Sequence, residues 1–525
     1  GKALYRIVSA DQMRALEQEA DQRGLSYAQM MQHAGRGMGN LIEKRFAGRS
    51  SKTLLGLVGS GNNGGDALVA MTFLQGKGWK TSAYLVKERD PNDELVRSYL
   101  ESGGDCIVFD NDFDFKQFDR AIHTQAFLLD GILGTGIKLP LRGSVQQVMA
   151  HLRTLEDIPY TIAVDCPSGI DCDSGEVDQV SMNADWTICM AAVKQGMLRF
   201  PAFEKIGEIS LVEIGLKDEL HAWQGIQTYC METSATSSIL PSRSIQSHKG
   251  SFGTALIMAG SRNYPGAALL AGKAAYRSGA GLVRIASLPT VQQALAGAFP
   301  EAVWTLLNEE PDGFSWKDEQ DRKEIIHQDT SAILIGPGWG KGRDTLALFV
   351  DVLTDISEKK HASDESSLVL DADGLNLLSE NPGLLNRIPR GSVLTPHPGE
   401  MARLCGIKPA EIQAERAGIA REYAKEWNVT LVLKGALTVV ANPDGDTVII
   451  PIATPALARA GSGDVLAGLI TGLMAQGVEP FKAACAGAWL HGMAGIAAER
   501  AVGHAACVLA GDILQAIPLV MRDLK

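Results

Sequence analysis

The chain has 525 residues, 45% apolar and 21% charged, enough for roughly two to four globular domains with sizeable cores. Its formal charge of −12 argues against a nucleic-acid surface, which would be basic, but leaves room for anion sites built from backbone amides. The eight cysteines form no C-x-x-C pair, which reads as reduced core thiols in a cytoplasmic protein rather than a zinc or disulfide framework. No secretory apolar region opens the sequence, the absent initiator Met is read as processing, and no run of about 18 apolar residues marks a membrane span.

Residues 9–20 carry a cap followed by Met13, Leu16 and Ala20 at helical spacing. A second predicted helix, 26–46, bears Met30, Met31, Met38 and Leu41, a face suited to core or subunit contact. An α/β alternation then begins. Thr53–Val58 reads as a buried strand running into Gly59-Ser60-Gly61-Asn62-Asn63-Gly64-Gly65-Asp66, with a helix predicted over 67–76. Strand, glycine loop and helix is the layout for phosphate binding in a doubly wound sheet. The amides and the acid add oxygen ligands for a hard cation, or donors for sugar and phosphate. The alternative is a turn of residues that tolerate left-handed backbone.

Further strands are predicted at 81–86, 106–109, 126–129 and 161–164. Two run into acids: Asp130 before Gly131-Ile132-Leu133-Gly134-Thr135-Gly136, and Asp165 before Cys166-Pro167-Ser168-Gly169. Each acid alone is a common helix cap. Three polar loops at three strand ends are expected to converge on one crevice. Strands at 186–190 and 209–214 close this domain, and Lys194 is expected to be solvated, with a place facing the crevice as the alternative. The small polar run 233–238 reads as a linker, and the acidic stretch 308–324 as a solvated loop and helix.

The alternation restarts at 254–258, followed by a small-residue helix from Tyr264-Pro265-Gly266 to about residue 278. Strands at 282–286 and 332–335 follow, the second ending in Gly336-Pro337-Gly338-Trp339-Gly340. A strand at 368–370 ends in Asp371 and Asp373, and 393–394 runs into Thr395-Pro396-His397-Pro398-Gly399-Glu400, where two prolines aim the His397 ring. Lys434 stands at the end of strand 430–433, in a place that suits a polyphosphate, and a hairpin over 437–452 follows. In Gly461-Ser462-Gly463-Asp464, a glycine loop opens an apolar helix, whose free amides at the positive end receive anions. Asp464 is either a cap worth about 1 kcal/mol or a base facing a substrate hydroxyl.

These motifs, in this order, resemble the bifunctional NAD(P)H-hydrate repair enzymes, which join an NAD(P)H-hydrate epimerase to an ADP-dependent (S)-NAD(P)H-hydrate dehydratase. The resemblance rests on 61–66, 130–136 and 165–169 in the first half. In the second it rests on His248-Lys249-Gly250, 265–268, 336–338, 371–376, 395–400, 434–436 and 461–468. It implies an α/β protein: a Rossmann-like three-layer domain over 1–225, a linker over 226–240 and a ribokinase-like α/β domain over 241–525. It further implies potassium on Asn63, Asp130 and Ser168, all oxygen donors. The hydrate site would be lined by Asn62, Asn63, Gly64, Gly65, Asp66, Gly134, Thr135, Gly136, Ile137, Lys138, Leu139, Pro140 and Asp165. In the second domain Gly253, Ala267, Gly338, His397 and Asp464 would contact the hydrate, while Lys434, Gly435, Ala436, Leu437, Thr438 and Gly463 would hold ADP, with Mg2+ allowed beside the nucleotide. The family has Gly where this chain has Ala67, and the added methyl is expected to narrow the first crevice.

The substrates implied are NADH and NADPH with water added across the C5–C6 bond (NADHX and NADPHX). Asp464 is expected to act as base or proton relay in dehydration and Asp165 to handle the proton in epimerisation. A homo-oligomer is expected, with no nucleic acid or membrane partner. The competing reading is an ATP-dependent small-molecule kinase of ribokinase-like type with a non-catalytic ligand-binding N-terminal domain.

Overall fold

A computed structural model describes residues 4–359 and 367–524, which divide into two units, 5–226 and 227 onward. In the first unit, β1 (Leu4–Val8) leads into α1 (Ala10–Gln22), capped by Ser9, and α2 (Tyr27–Phe46), capped by Ser26. Both caps are reciprocal boxes with a glutamine three residues on, satisfying amides that the helix itself leaves unpaired. The alternating part consists of β2 (Thr53–Val58), α3 (Asn62–Gly76), β3 (Lys80–Leu85), β4 (Asp105–Val108), β5 (Phe127–Gly131), β6 (Tyr160–Val164), β7 (Trp186–Met190), β8 (Val193–Lys194) and β9 (Glu208–Val212). Seven strands pair in the order β4-β3-β2-β5-β6-β7-β9, all parallel.

Period-two alternation covers both faces of this sheet. Leu54 and Val58 enter one core cluster, Leu55 and Leu57 the other. The result is the Rossmann-like three-layer arrangement. The chain leaves β2 toward β3 on one side and reaches β5 on the other, so the loops after β2 and β5 part company and open a crevice at the carboxyl edge.

The second unit opens where a linker was expected. Residues 226–240 are ordered: β10 (Thr228–Met231) is a strand, and α4 (Thr233–Ile239) is a helix capped by Glu232. Thr228 and Tyr229 are good strand formers, and β10 finds a partner in the last strand of the hairpin. Next come β11 (Thr254–Met258), α5 (Gly266–Arg277), β12 (Leu282–Ser287), β13 (Val303–Leu306), β14 (Ala332–Ile335), β15 (Leu368–Leu370), β16 (Val393–Leu394), α6 (Pro398–Cys405), β17 (Thr430–Leu433), β18 (Val439–Ala441), β19 (Thr447–Ile449), α7 (Ser462–Ala475), α8 (Pro480–Val502) and α9 (Ala510–Arg522). Strand order is β13-β12-β11-β14-β15-β16-β17-β18-β19-β10, parallel except around β18. A second switch point therefore lies between β11 and β14. The acidic stretch 308–324 forms a small hairpin, Asn308–Glu310 with Gly313–Ser315, and a short helix.

Helices α5 and α7 meet through small residues. A Cβ on Gly468 would lie 2.2 Å from the Ala271 carbonyl, so only glycine allows this approach. Among the described residues no helix is long and apolar enough to cross a membrane.

At the mouth of the first crevice, a Cβ on Gly59 would sit 1.9 Å from the Ile132 carbonyl oxygen. Gly59→Ala is expected to destabilise the chain by about 1–3 kcal/mol through overpacking, read as a lower urea midpoint. An unchanged midpoint would show that this loop yields freely.

Candidate functional sites

The first crevice is a cavity of about 820 Å³. Helix α3 begins at Asn62, five residues earlier than expected, with Gly61 as its extended N-cap. Gly64 and Gly65 make the early start feasible. A Cβ on Gly64 would be 2.1 Å from the Gly59 carbonyl, and one on Gly65 2.6 Å from the Met31 sulfur. Asn62, Asn63 and Asp66 line the cavity, as do Asp165 and all of Gly134, Thr135, Gly136, Ile137, Lys138, Leu139 and Pro140. Gly64 and Gly65 do not line it: they pack behind the wall, against the Gly59 carbonyl and Met31. Ala67 is fully buried, and its methyl faces Gly131 on β5, whose Cβ would lie 2.6 Å away. The extra methyl therefore fills core and does not narrow the crevice.

Asp165 stands at the end of β6 in left-handed backbone (φ 66°), an uncommon place for a non-glycine residue. Lys194 is not solvated. It is 1% exposed, and its Nζ donates to Asp165 Oδ1 at 2.5 Å and to the carbonyls of Met190 and Ala192. Burial pulls the lysine down, but Asp165 together with the nearby Cys189 and Cys172 outweighs that, and the ammonium ends above its usual range. Asp165 also accepts the Met190 amide at 2.9 Å. Asp66 is pushed well above the ordinary carboxyl range, first by burial and then by Asp165 and Glu17. Glu17 and the buried Lys194 pair were not legible from motifs. The signal for Glu17 was an acid one turn beyond Met13 on an apolar helix face.

Asn63, Asp130 and Ser168 come together beneath this wall. Ser168 donates its hydroxyl to Asp130 Oδ1 at 2.5 Å and its amide to Oδ2 at 2.7 Å, and its oxygen accepts the Leu133 amide at 3.0 Å. Asn63 Nδ2 donates to the Val164 carbonyl at 2.9 Å, which sets the amide's orientation and leaves Oδ1 buried without a partner. Burial pushes the Asp130 carboxyl up to about 6. An orphaned oxygen and a fully buried acid form a set that a hard cation would satisfy.

In the second unit, α7 begins at Ser462 with Gly461 (φ 87°) ahead of it. Asp464 is therefore the third helical residue and makes no capping bond, which removes the cap reading. Burial pushes its carboxyl up to about 7, helped by Asp371 and opposed by Lys434. Lys434 Nζ donates to Asp371 Oδ1 at 3.1 Å, and Thr395 Oγ1 donates to the same oxygen at 2.8 Å. A Cβ on Gly463 would meet Lys434 Nζ at 3.0 Å, and one on Gly338 would meet Ala267 at 2.9 Å. Gly463 with Lys434 and Gly338 with Ala267 are thus neighbours. Gly435 (φ 136°) and Leu437 (φ 58°) turn the chain after β17, and Thr438 Oγ1 donates to the Gly435 carbonyl. Ala436 sits exposed in the same turn.

His397 has a structural duty: Nδ1 accepts the Glu400 amide at 3.1 Å and caps α6. Burial, then Lys434, lowers its pKa, which favours the neutral ring. Gly253 lies at the other end of β11. There it lets the chain pass the Ala475 carbonyl, at the far end of α7 and roughly 16 Å along the helix from Asp464. Gly253, expected at the hydrate, therefore stands at the opposite edge of the sheet from Asp464. Missed altogether was His491, whose Nε2 bonds the Ser462 hydroxyl at 2.9 Å; burial brings His491 down to about 4 and keeps it neutral.

A family model described as NAD(P)H-hydrate dehydratase matches residues 255–519, and one described as YjeF-related protein N-terminus matches 27–196. The chain is 36% identical to a bifunctional NAD(P)H-hydrate repair enzyme Nnr of Moorella thermoacetica, over 94% of this chain and 92% of that one. It is 34% identical to the protein of that name from Salinibacter ruber, over 98% and 96%. An ADP/ATP-dependent NAD(P)H-hydrate dehydratase from Bacillus subtilis, co-crystallised with ATP and Mg2+, is a solved structure 33% identical, covering 56% of this chain and 98% of its own, with a TM-score of 0.47.

The raised Asp464 carboxyl has a stability consequence. A carboxyl whose folded pKa exceeds its unfolded value binds more protons when folded, so stability falls as pH climbs from about 4 through about 7. Asp464→Asn removes that penalty. The variant is expected to melt at a higher temperature than the parent at pH 8, with the gap closing toward pH 4; equal melting at both would exclude a buried, strained acid.

Proposed function

The chain belongs to the bifunctional NAD(P)H-hydrate repair enzymes, epimerase first and ribokinase-like dehydratase second, and from that premise we propose how its two crevices divide the work. The first interconverts the R and S hydrates of NADH and NADPH. The second removes water from the S form with ADP as cofactor. The observation that carries this reading is a pair of separate sheet-edge sites, each with a buried lysine–aspartate pair beside a helix N-terminus.

In the first crevice the amides at the start of α3 and the loop 134–140 hold the nucleotide, with Asn62, Asn63 and Asp66 against it. Asp165, locked by Lys194 and the Met190 amide, keeps one carboxyl oxygen for a substrate proton. Asn63 Oδ1, Asp130 and Ser168 are the atoms that would hold potassium. When bound, the ion supplies positive charge beside the hydrate. Replacing KCl by LiCl is expected to slow epimerisation and leave dehydration unchanged, and Asn63→Ala is expected to abolish that difference.

In the second crevice Lys434, Gly435, Ala436, Leu437, Thr438 and Gly463 would hold ADP, with Mg2+ beside it, and Ala267, Gly338 and His397 would position the hydrated ring. When bound, ADP fills the anion pocket at the start of α7. Asp464, poised near neutrality, serves as the general base or relay. The reading also places the protein in the cytoplasm as a homo-oligomer, which fractionation and light scattering test.

The direct experiment is ADP-dependent recovery of reduced-nicotinamide absorbance from hydrated NADH, with chiral chromatography following the R form. The dehydration kcat/KM is expected to rise with pH through about 7 as Asp464 ionises. Asp464→Asn is expected to lose at least about 10²-fold in turnover while still binding ADP, and Asp165→Ala to lose epimerisation alone. Phosphorylation of a small alcohol by ATP, with no recovery of absorbance, would overturn the reading in favour of a kinase.

A further inference from the structure

One titratable group in the first cavity has no part in the assignments above. Glu17 lines the cavity from α1, one turn beyond Met13, on a face whose other members, Leu16 and Ala20, are buried. Among the described residues no hydrogen bond or ion pair reaches its carboxyl. A recessed acid without a partner costs free energy that a leucine there would not.

Charged groups approach Glu17 from several elements: Arg14 on its own helix, Asp66 on α3, Asp165 after β6 and Lys194 at the end of β8. Arg14 is paired with Asp11, and Lys194 with Asp165. Burial raises the Glu17 carboxyl above its ordinary range; Lys194 and Arg14 pull it back, and Asp165 pushes it further. An acid in this setting keeps its proton closer to neutrality than a solvated glutamate does.

Epimerisation needs such a proton. Water adds to the reduced ring with its hydroxyl on C6, the carbon bonded to N1, because the enamine takes its proton at C5. To invert C6, the hydroxyl loses its proton as C6=O forms, the C6–N1 pair goes to N1, and N1 gains a proton. Rotation about C5–C6 and the reverse steps present the other face. One proton is taken and one given in each direction, so two groups are required. Asp165 has one oxygen already committed to Lys194 and the Met190 amide.

We propose that Glu17 is the second catalytic residue of the epimerase cavity, donating a proton to N1 while Asp165 takes the hydroxyl proton, with the roles reversed on ring closure. This deepens the epimerase reading and rests on it. The test uses the full chain with chiral chromatography of the R hydrate and, in parallel, ADP-dependent dehydration of the S hydrate. Glu17→Gln is expected to lower the epimerase kcat by about 10²-fold or more, change KM by less than about threefold and leave dehydration untouched. The parent's alkaline loss of activity, as Glu17 gives up its proton, should vanish in this variant, and Glu17→Asp should recover part of the rate. A Glu17→Gln rate within about threefold of the parent overturns the proposal, as does a lowered rate with the same pH profile, or loss in Asp66→Asn alone. If the parent itself fails to epimerise, the epimerase reading falls and this proposal with it.

Discussion

Main chain crossing main chain with no side chain between them is the constraint on which both crevices depend. At the end of β2, Gly59 passes so near the Ile132 carbonyl that a Cβ would lie 1.9 Å from it. At the end of β14, Gly336 (φ 126°) stands in the same relation to the Asp371 carbonyl. These crossings bring the loops that follow neighbouring strands together into one wall at the carboxyl edge of each sheet. They also let helix N-termini approach the site, and a ligand's phosphates are drawn to those exposed amides. The glycines are thus required by geometry first and by binding only in consequence.

Around these crossings each unit stores charge at a cost. Lys194–Asp165 and Lys434–Asp371 are buried pairs, and a pair of apolar residues of equal volume would commonly be at least as stable. Backbone strain collects at the same places: Asp165 is left-handed, Ala372 follows Asp371 at φ 49°, and Leu437 lies three residues beyond Lys434 at φ 58°. The lysines fix their carboxylates in one orientation, and the left-handed Asp165 turns its carboxyl toward the cavity it lines. Such expense is intelligible where a proton must be moved at a fixed point, and wasteful elsewhere.

Much of this was legible in the sequence. Strand β7 fell where apolar runs placed it, and the acids at the ends of β5 and β6 marked the carboxyl edge, because strand, turn and acid are local signals. Helix starts were less legible. Both α3 and α7 begin inside stretches that look like loops, since glycine and asparagine are turn residues until a neighbouring backbone offers room to wind. That difference decided the meaning of Asp464, which reads as either a cap or a base from its neighbours and makes no capping bond once the helix start is fixed. Glu17, Lys194 and His491 were hidden for another reason. Each acts across 29 or more residues of chain, on Asp66, Asp165 and Ser462, and no spacing rule reaches that far.

The contact between Ala67 and Gly131 bears on how such motifs should be interpreted. Helix α3 and strand β5 leave room for a single methyl between them, and in this protein the helix carries it. A glycine in a signature need not mark where a ligand rests; it can record which of two facing backbones yielded space to the other. Swapping letters in the signature then alters the fit between layers of the fold, while the chemistry at the edge proceeds undisturbed.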